Sequence, residues 1–267
     1  MKKLTVTIYL LLSVSILFPA SARDIELAER AYQVGRRSME ANDFARAKRF
    51  LEYAVKKNPE HRFAFARLVV VLEKLNDFQT LVQYYEPYAK RNLNNETILF
   101  NMGVFALKAK KFTLSIEYLI KVKEKNPDNV KALYNLSLAY LEVKNYQESI
   151  KYSTICVAKN HNTKDALKNL VSAHLELKLY DAALLYANEL VKKTNWTDAF
   201  AIESLARTHA AKKEYSKAIE LIKKAIALQN VALFRIQLAQ YEKELKAQQQ
   251  AQQPVQSPQN QQPAQRN

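Results

Sequence analysis

A chain of 267 residues, 48% hydrophobic and 25% charged, carries enough apolar mass for one elongated array or at most two compact domains. Two glycines are too few for the turns of a sheet protein, and they leave no phosphate-cradling or dinucleotide-binding loop. A formal net charge of +15 suits acidic partners or a solvated lysine-rich exterior, and a single cysteine excludes an intramolecular disulfide and a paired-cysteine metal site.

The first element in the chain is an export signal over residues 1–22. Lys2 and Lys3 form a basic start, an apolar stretch runs from Leu4 to Phe18, and Pro19 breaks it before the small-residue sequence Ala20-Ser21-Ala22. The apolar stretch is shorter than the roughly 20 residues of a bilayer span. No cysteine follows it, which excludes a lipoprotein anchor, and its brevity is bacterial. The mature chain is therefore predicted to begin at Arg23, in the periplasm or outside the cell.

A 34-residue period follows. Asn58-Pro59 and Asn126-Pro127 lie two periods apart, and registers near 28–61, 62–95, 96–129, 130–163, 164–198 and 199–232 align the middle of the chain. The fifth copy holds one extra residue, near Trp196. Position 17 is aromatic in all six copies: Phe44, Phe78, Phe112, Tyr146, Tyr180 and Tyr215. Position 20 is small in five (Ala47, Ser115, Ser149, Ala183, Ala218), with Leu81 the exception, and both glycines, Gly35 and Gly103, stand at position 8. Apolar residues at i, i+3, i+4 and i+7 predict two helices per copy, joined by a tight turn. Small residues at 8 and 20 let the two helices approach closely, and Asn or Asp in the turn (Asn42-Asp43, Asn76-Asp77 and Asn145) can cap the second helix. The second copy is irregular, with Pro87 inside its second helix, where a kink is expected. No copy can bury its apolar face alone, so neighbours must stack.

A final helix over 233–247 shows one apolar stripe, Phe234, Leu238, Tyr241 and Leu245, and a polar face that can cap the array. Residues 248–267 are Gln, Pro, Asn and Ala with almost no apolar content, so a disordered tail is expected.

The small, large and aromatic residues at positions 7, 8, 17, 20 and 27 and the terminal Pro resemble the tetratricopeptide repeat family over residues 28 to 232. The resemblance implies an all-α solenoid of about six helix-turn-helix repeats, wound into a right-handed superhelix with a concave groove. It also implies that positions 2, 5, 6, 9, 12 and 13 of each first helix face that groove. Carried over, the groove holds Phe63, Phe100, Val104, Tyr134 and Leu138 with a basic rim of Arg67, Lys131, Lys168 and Arg207. Asn101, Asn135 and Asn169, all at position 6, are placed as a ladder, and similar ladders in the family hold an extended peptide by its backbone.

The residues give no reason to expect an enzyme or a cofactor. His174 and His209 recur at position 11 of adjacent copies, which is half of a metal site or, as with Tyr140 in the fourth copy, a packing position; the absence of a third ligand favours packing. Cys156 at position 27 aligns with Ala54, Val122 and Leu190, so it is expected to be a buried structural thiol. The function expected is a protein-interaction scaffold or adaptor in a bacterial envelope complex, of the outer-membrane assembly or periplasmic flagellar-motor accessory type. The alternatives are a chaperone-like peptide- or client-binding factor, or a basic module for acidic cell-wall polymer or anionic lipid. Partners are expected to be proteins or peptides, acidic ones included; nucleic acid is not expected, and membrane contact only indirectly.

Overall fold

The structure, a computed structural model, describes residues 20–252. Most of the predicted signal peptide (1–19) and of the Gln-rich tail (253–267) lies outside the described residues. Among those described there are thirteen helices and no strand.

The helices group into two units that meet in sequence between Tyr85 and Glu86. The first holds α1 (Ala22–Glu40), α2 (Phe44–Lys57), α3 (Arg62–Lys74) and the start of α4 (Phe78–Arg91). The second holds the rest of α4, then α5 (Glu96–Lys108), α6 (Phe112–Lys125), α7 (Val130–Glu142), α8 (Tyr146–Ala158), α9 (Thr163–Glu176), α10 (Tyr180–Lys193), α11 (Ala199–Ala211), α12 (Tyr215–Leu228) and α13 (Ala232–Gln252). Helix α4 continues through Pro87, whose ring nitrogen cannot donate to the preceding turn.

Every second helix begins on the position-17 aromatic. One local device sets that start in all six copies. The residue at position 15 is left-handed: Asn42, Asn76, Lys110, Lys144, Lys178 and Lys213 have φ of 57°, 54°, 57°, 62°, 58° and 61°. The next N–H then folds back onto the carbonyl five residues earlier, as in Asp43 to Ser38, Lys111 to Ala106 and Leu179 to His174, at 2.8–2.9 Å. This closes the first helix and aims the chain into the second. A left-handed backbone favours glycine, and an L side chain there costs roughly 1 kcal/mol. Neither glycine of the chain is used for it.

The glycines instead permit close helix crossing. A β-carbon on Gly35 would lie 2.7 Å from Leu51 Cγ, and one on Gly103 would lie 2.6 Å from Leu119 Cγ. The leucines are at position 24, so position 8 packs against 24 rather than chiefly against position 20. Position 20 is nonetheless fully buried in every copy, Leu81 included.

Asp43, Asp77 and Asn145 cap their helices as expected, accepting from the N–H of Arg46, Thr80 and Glu148. The extra residue of the fifth copy is absorbed in the α10–α11 turn, where Asn195 and Trp196 are both left-handed. Within the second unit the core runs from hairpin to hairpin, through Leu167, Leu170, Leu190, Ile202, Leu205 and Ile222 to Phe234 and Tyr241 on α13. Helix α13 extends five residues beyond the expected end at 247. Gln and Ala are good helix formers, so a polar composition does not by itself end a helix, and Gln248 Nε2 reaches the backbone carbonyl of Lys213 at 3.4 Å.

Candidate partner-binding face

In the second unit the first helices α5, α7, α9 and α11 lie side by side in chain order. Their shared face carries Phe100, Val104, Tyr134 and Leu138, all half-buried, with Lys131 exposed beside them. Half-burial leaves part of each apolar side chain on the surface of that face. Tyr134 leans toward the α8–α9 turn, where its ring meets His161 edge-on at 6.4 Å. Burial raises its phenol pKa, so the hydroxyl remains a neutral donor.

The three asparagines are not equivalent. Asn101 is half-buried, and its side-chain amide has no partner among the described residues. Asn135 Nδ2 donates to the Lys131 carbonyl of its own helix at 2.8 Å, which leaves its Oδ1 to accept. Asn169 is only 6% exposed and donates to Ser137 Oγ at 3.1 Å. Ser137 Oγ donates in turn to the Tyr134 carbonyl at 2.8 Å. Asn169 is thus committed to joining α9 to α7, and two asparagines, not three, face outward.

Of the basic rim, Lys168 pairs with Asp165 at 3.5 Å. Arg207 donates to Ser172 Oγ at 3.3 Å. The Arg207 contact belongs to a polar cluster that residue-by-residue reading did not single out. Gln237 Nε2 donates to Glu203 Oε1 at 2.7 Å, and Tyr241 is buried beside them. Burial, with the Glu203 charge adding to it, pushes the Tyr241 hydroxyl up to about 12. Arg207 Nε and Gln237 Oε1 are buried without a partner among the described residues. The signal was present in the sequence: Lys168 and Ser172, Glu203 and Arg207, and Gln237 and Tyr241 occupy positions 5 and 9 of three successive registers.

The first unit holds the other two expected residues. Phe63 is 70% exposed, and its ring lies 6.4 Å from that of Tyr32. Arg67 Nε donates to Tyr32 Oη at 3.3 Å, with its guanidinium over the same ring at 6.0 Å.

Both histidines of the possible metal pair are occupied within their own hairpins. His174 Nδ1 lies 2.7 Å from the Leu170 carbonyl, which makes that nitrogen the donor, and His209 Nδ1 lies 2.9 Å from Glu214 Oε2. No group of three or more potential metal ligands occurs among the described residues. Cys156 is fully buried, and burial pushes its thiol up to about 11. Among the described residues no helix is long and apolar enough to cross a membrane.

No protein-family model matches the sequence, and no curated protein matches it either. Solved structures do match in fold. A tetratricopeptide repeat protein from Parabacteroides merdae superposes with a TM-score of 0.65 at 18% identity, over 86% of this chain and 95% of that one. PilW, a type IV pilus biogenesis factor, gives 0.56 at 16% identity, over 76% and 93%. YrrB, described as having an unusual peptide-binding site, gives 0.54 at 17% identity, over 74% and 97%. Six helical hairpins with one turn geometry, a C-terminal helix and these superpositions together identify the fold: the chain has the fold of the tetratricopeptide-repeat solenoids.

Proposed function

We propose that the chain is an exported scaffold of a bacterial envelope complex, holding an extended protein segment against the first-helix face of its second unit. One observation carries the reading. Phe100, Val104, Tyr134 and Leu138 form a half-exposed apolar strip beside Asn101 and Asn135, whose amides keep free hydrogen-bonding capacity. An amide offers a donor and an acceptor together, which matches a peptide unit, and the apolar strip takes the alternate side chains. Lys131 adds a preference for acidic segments. Among proteins of similar fold, one is described by its peptide-binding site and another as a pilus biogenesis factor, in keeping with a binding role. Export rests on the basic, apolar and small-residue order of residues 1–22.

A photo-crosslinking residue in place of Val104 tests the face in intact cells. Discrete protein adducts are expected, lost when Leu138 is replaced by Glu, with none from the same probe in place of exposed Glu220 on α12. Adducts that survive Leu138→Glu, or arise equally from position 220, would remove the proposal. N-terminal sequencing of the adduct-forming species should begin at Arg23.

A further inference from the structure

We propose that the hairpin-turn edge of the second unit docks directly on an anionic lipid surface. Its four complete hairpins each place a lysine at the left-handed turn position: Lys110, Lys144, Lys178 and Lys213. All four are exposed, and among the described residues none of their ammonium groups pairs with a carboxylate.

Folding does not account for lysine there. Glycine would relieve the left-handed backbone, and asparagine tolerates it, as Asn42 and Asn76 do in the first unit. Lys111, beside Lys110, stands at the N-cap of α6, where it makes no capping hydrogen bond and sets a positive charge at the positive end of the helix dipole. Five positions therefore hold lysine against local preference, and conflicts of this kind concentrate at functional surfaces.

The turns form one edge. Tyr146 Oη donates to Glu176 Oε2 at 3.3 Å, and Lys212 pairs with Asp181 at 2.5 Å, each joining consecutive hairpins at that edge. These contacts also occupy the edge's acids, together with Glu148–Lys151 and Glu214–Lys217. Glu142 has no such contact among the described residues. At the opposite edge two lysines are neutralised between hairpins, Lys159 by Asp128 and Lys164 by Asp198, whereas Lys192 and Lys193 have no carboxylate partner among the described residues.

Two aliphatic side chains decide the kind of partner. Val143 is 40% exposed next to Lys144, and Leu179 is 51% exposed next to Lys178. A tip of ammonium and aliphatic groups fits a bilayer surface, where lysine reaches headgroup phosphate and the aliphatic group enters the interface. A soluble acidic chain would satisfy the lysines alone.

The test is co-sedimentation of the mature chain with phosphatidylcholine vesicles, with and without phosphatidylglycerol. Binding is expected only with phosphatidylglycerol, and should weaken as salt is added. The combined variant Lys110→Gly, Lys144→Gly, Lys178→Gly and Lys213→Gly should melt no lower than wild type while binding roughly several hundredfold more weakly, since each of the four surface lysines contributes about fivefold. Arginine at the same four positions should keep binding, and Lys192→Gln with Lys193→Gln, at the far end of α10, should leave it unchanged. Wild-type affinity in the glycine variant overturns the proposal. So does a wild-type chain that binds soluble polyglutamate and ignores the vesicles, which would assign the edge to an acidic polypeptide.

Discussion

Asn169 Nδ2 donates to Ser137 Oγ across one repeat, at 3.1 Å, and both side chains are buried. The bond separates two roles within one sequence pattern. Asn169→Ala leaves the Ser137 hydroxyl without its donor and should lower stability by about 1–2 kcal/mol in chemical denaturation. Asn101→Ala combined with Asn135→Ala should leave the melting temperature within error, because alanine has the higher helix propensity. That pair should weaken binding of a captured partner segment by roughly 5- to 150-fold, at about 0.5–1.5 kcal/mol for each amide pairing. A double variant with full affinity would leave the apolar strip as the recognition element.

Gly103→Ala places a methyl group 2.6 Å from Leu119 Cγ, and the side chain or the helix must move. The expected loss is roughly 1–3 kcal/mol. Adding Leu119→Ala opens space for that methyl group, so the double variant should be more stable than the sum of the single losses implies. Strict additivity in a denaturation cycle would show that the two positions do not meet.

Two serines at position 20 predict opposite signs. Ser149 Oγ donates to the Ser137 carbonyl at 2.9 Å, whereas Ser115 Oγ is buried with no partner among the described residues. Ser149→Ala should lower stability by about 1 kcal/mol, and Ser115→Ala should leave it unchanged or raise it by a similar amount. Thermal melts of the two variants side by side give the answer.

Asp77 predicts a dependence on pH. Its Oδ2 lies 2.6 Å from Lys48 Nζ, and its Oδ1 accepts from Thr80 N at 3.1 Å. The Lys48 contact holds the carboxyl below its ordinary value. A depressed carboxylate stabilises the fold above its unfolded pKa of about 3.9, and that contribution is lost as pH falls through the lower folded value. Asp77→Asn keeps a capping oxygen and removes the charge. It should lower stability by about 1 kcal/mol at neutral pH, and the gap should close in acid. A gap that widens on acidification would contradict the pairing.

Local features were legible in the sequence. The aromatics at position 17 mark the first residue of every second helix, and of the candidates in each turn Asp43, Asp77 and Asn145 are the ones that cap, Asn42 and Asn76 being the left-handed residues before them. Helix starts are set within one turn of chain, so a sequence pattern can express them. Features that depend on a second helix were less so. Glycine at position 8 reads as a close approach, but only the crossing shows that Leu51 and Leu119 supply the opposing side chains. Asn101 and Asn169 share a residue type and a register, and differ because one neighbour offers a serine hydroxyl at the right height. The last turn of α13 was hidden for another reason: glutamine-rich composition suggests a tail, although the run to Gln252 contains no helix breaker.

The chain has one tryptophan, Trp196, and the extra residue of the fifth copy leaves it 47% exposed on the α10–α11 turn. An indole in that setting already emits close to the wavelength of a hydrated fluorophore, so unfolding offers it little shift. Its intensity reports the seam between the fifth and sixth hairpins and is nearly blind to events elsewhere. The fifteen tyrosines are spread along the chain, and many are buried or stacked, as Tyr140 is on Tyr152. In a solenoid whose neighbours hold one another, the two chromophores therefore give separate melting curves on one sample wherever the hairpins part in sequence. The interval between those curves measures how far cooperativity reaches along the array.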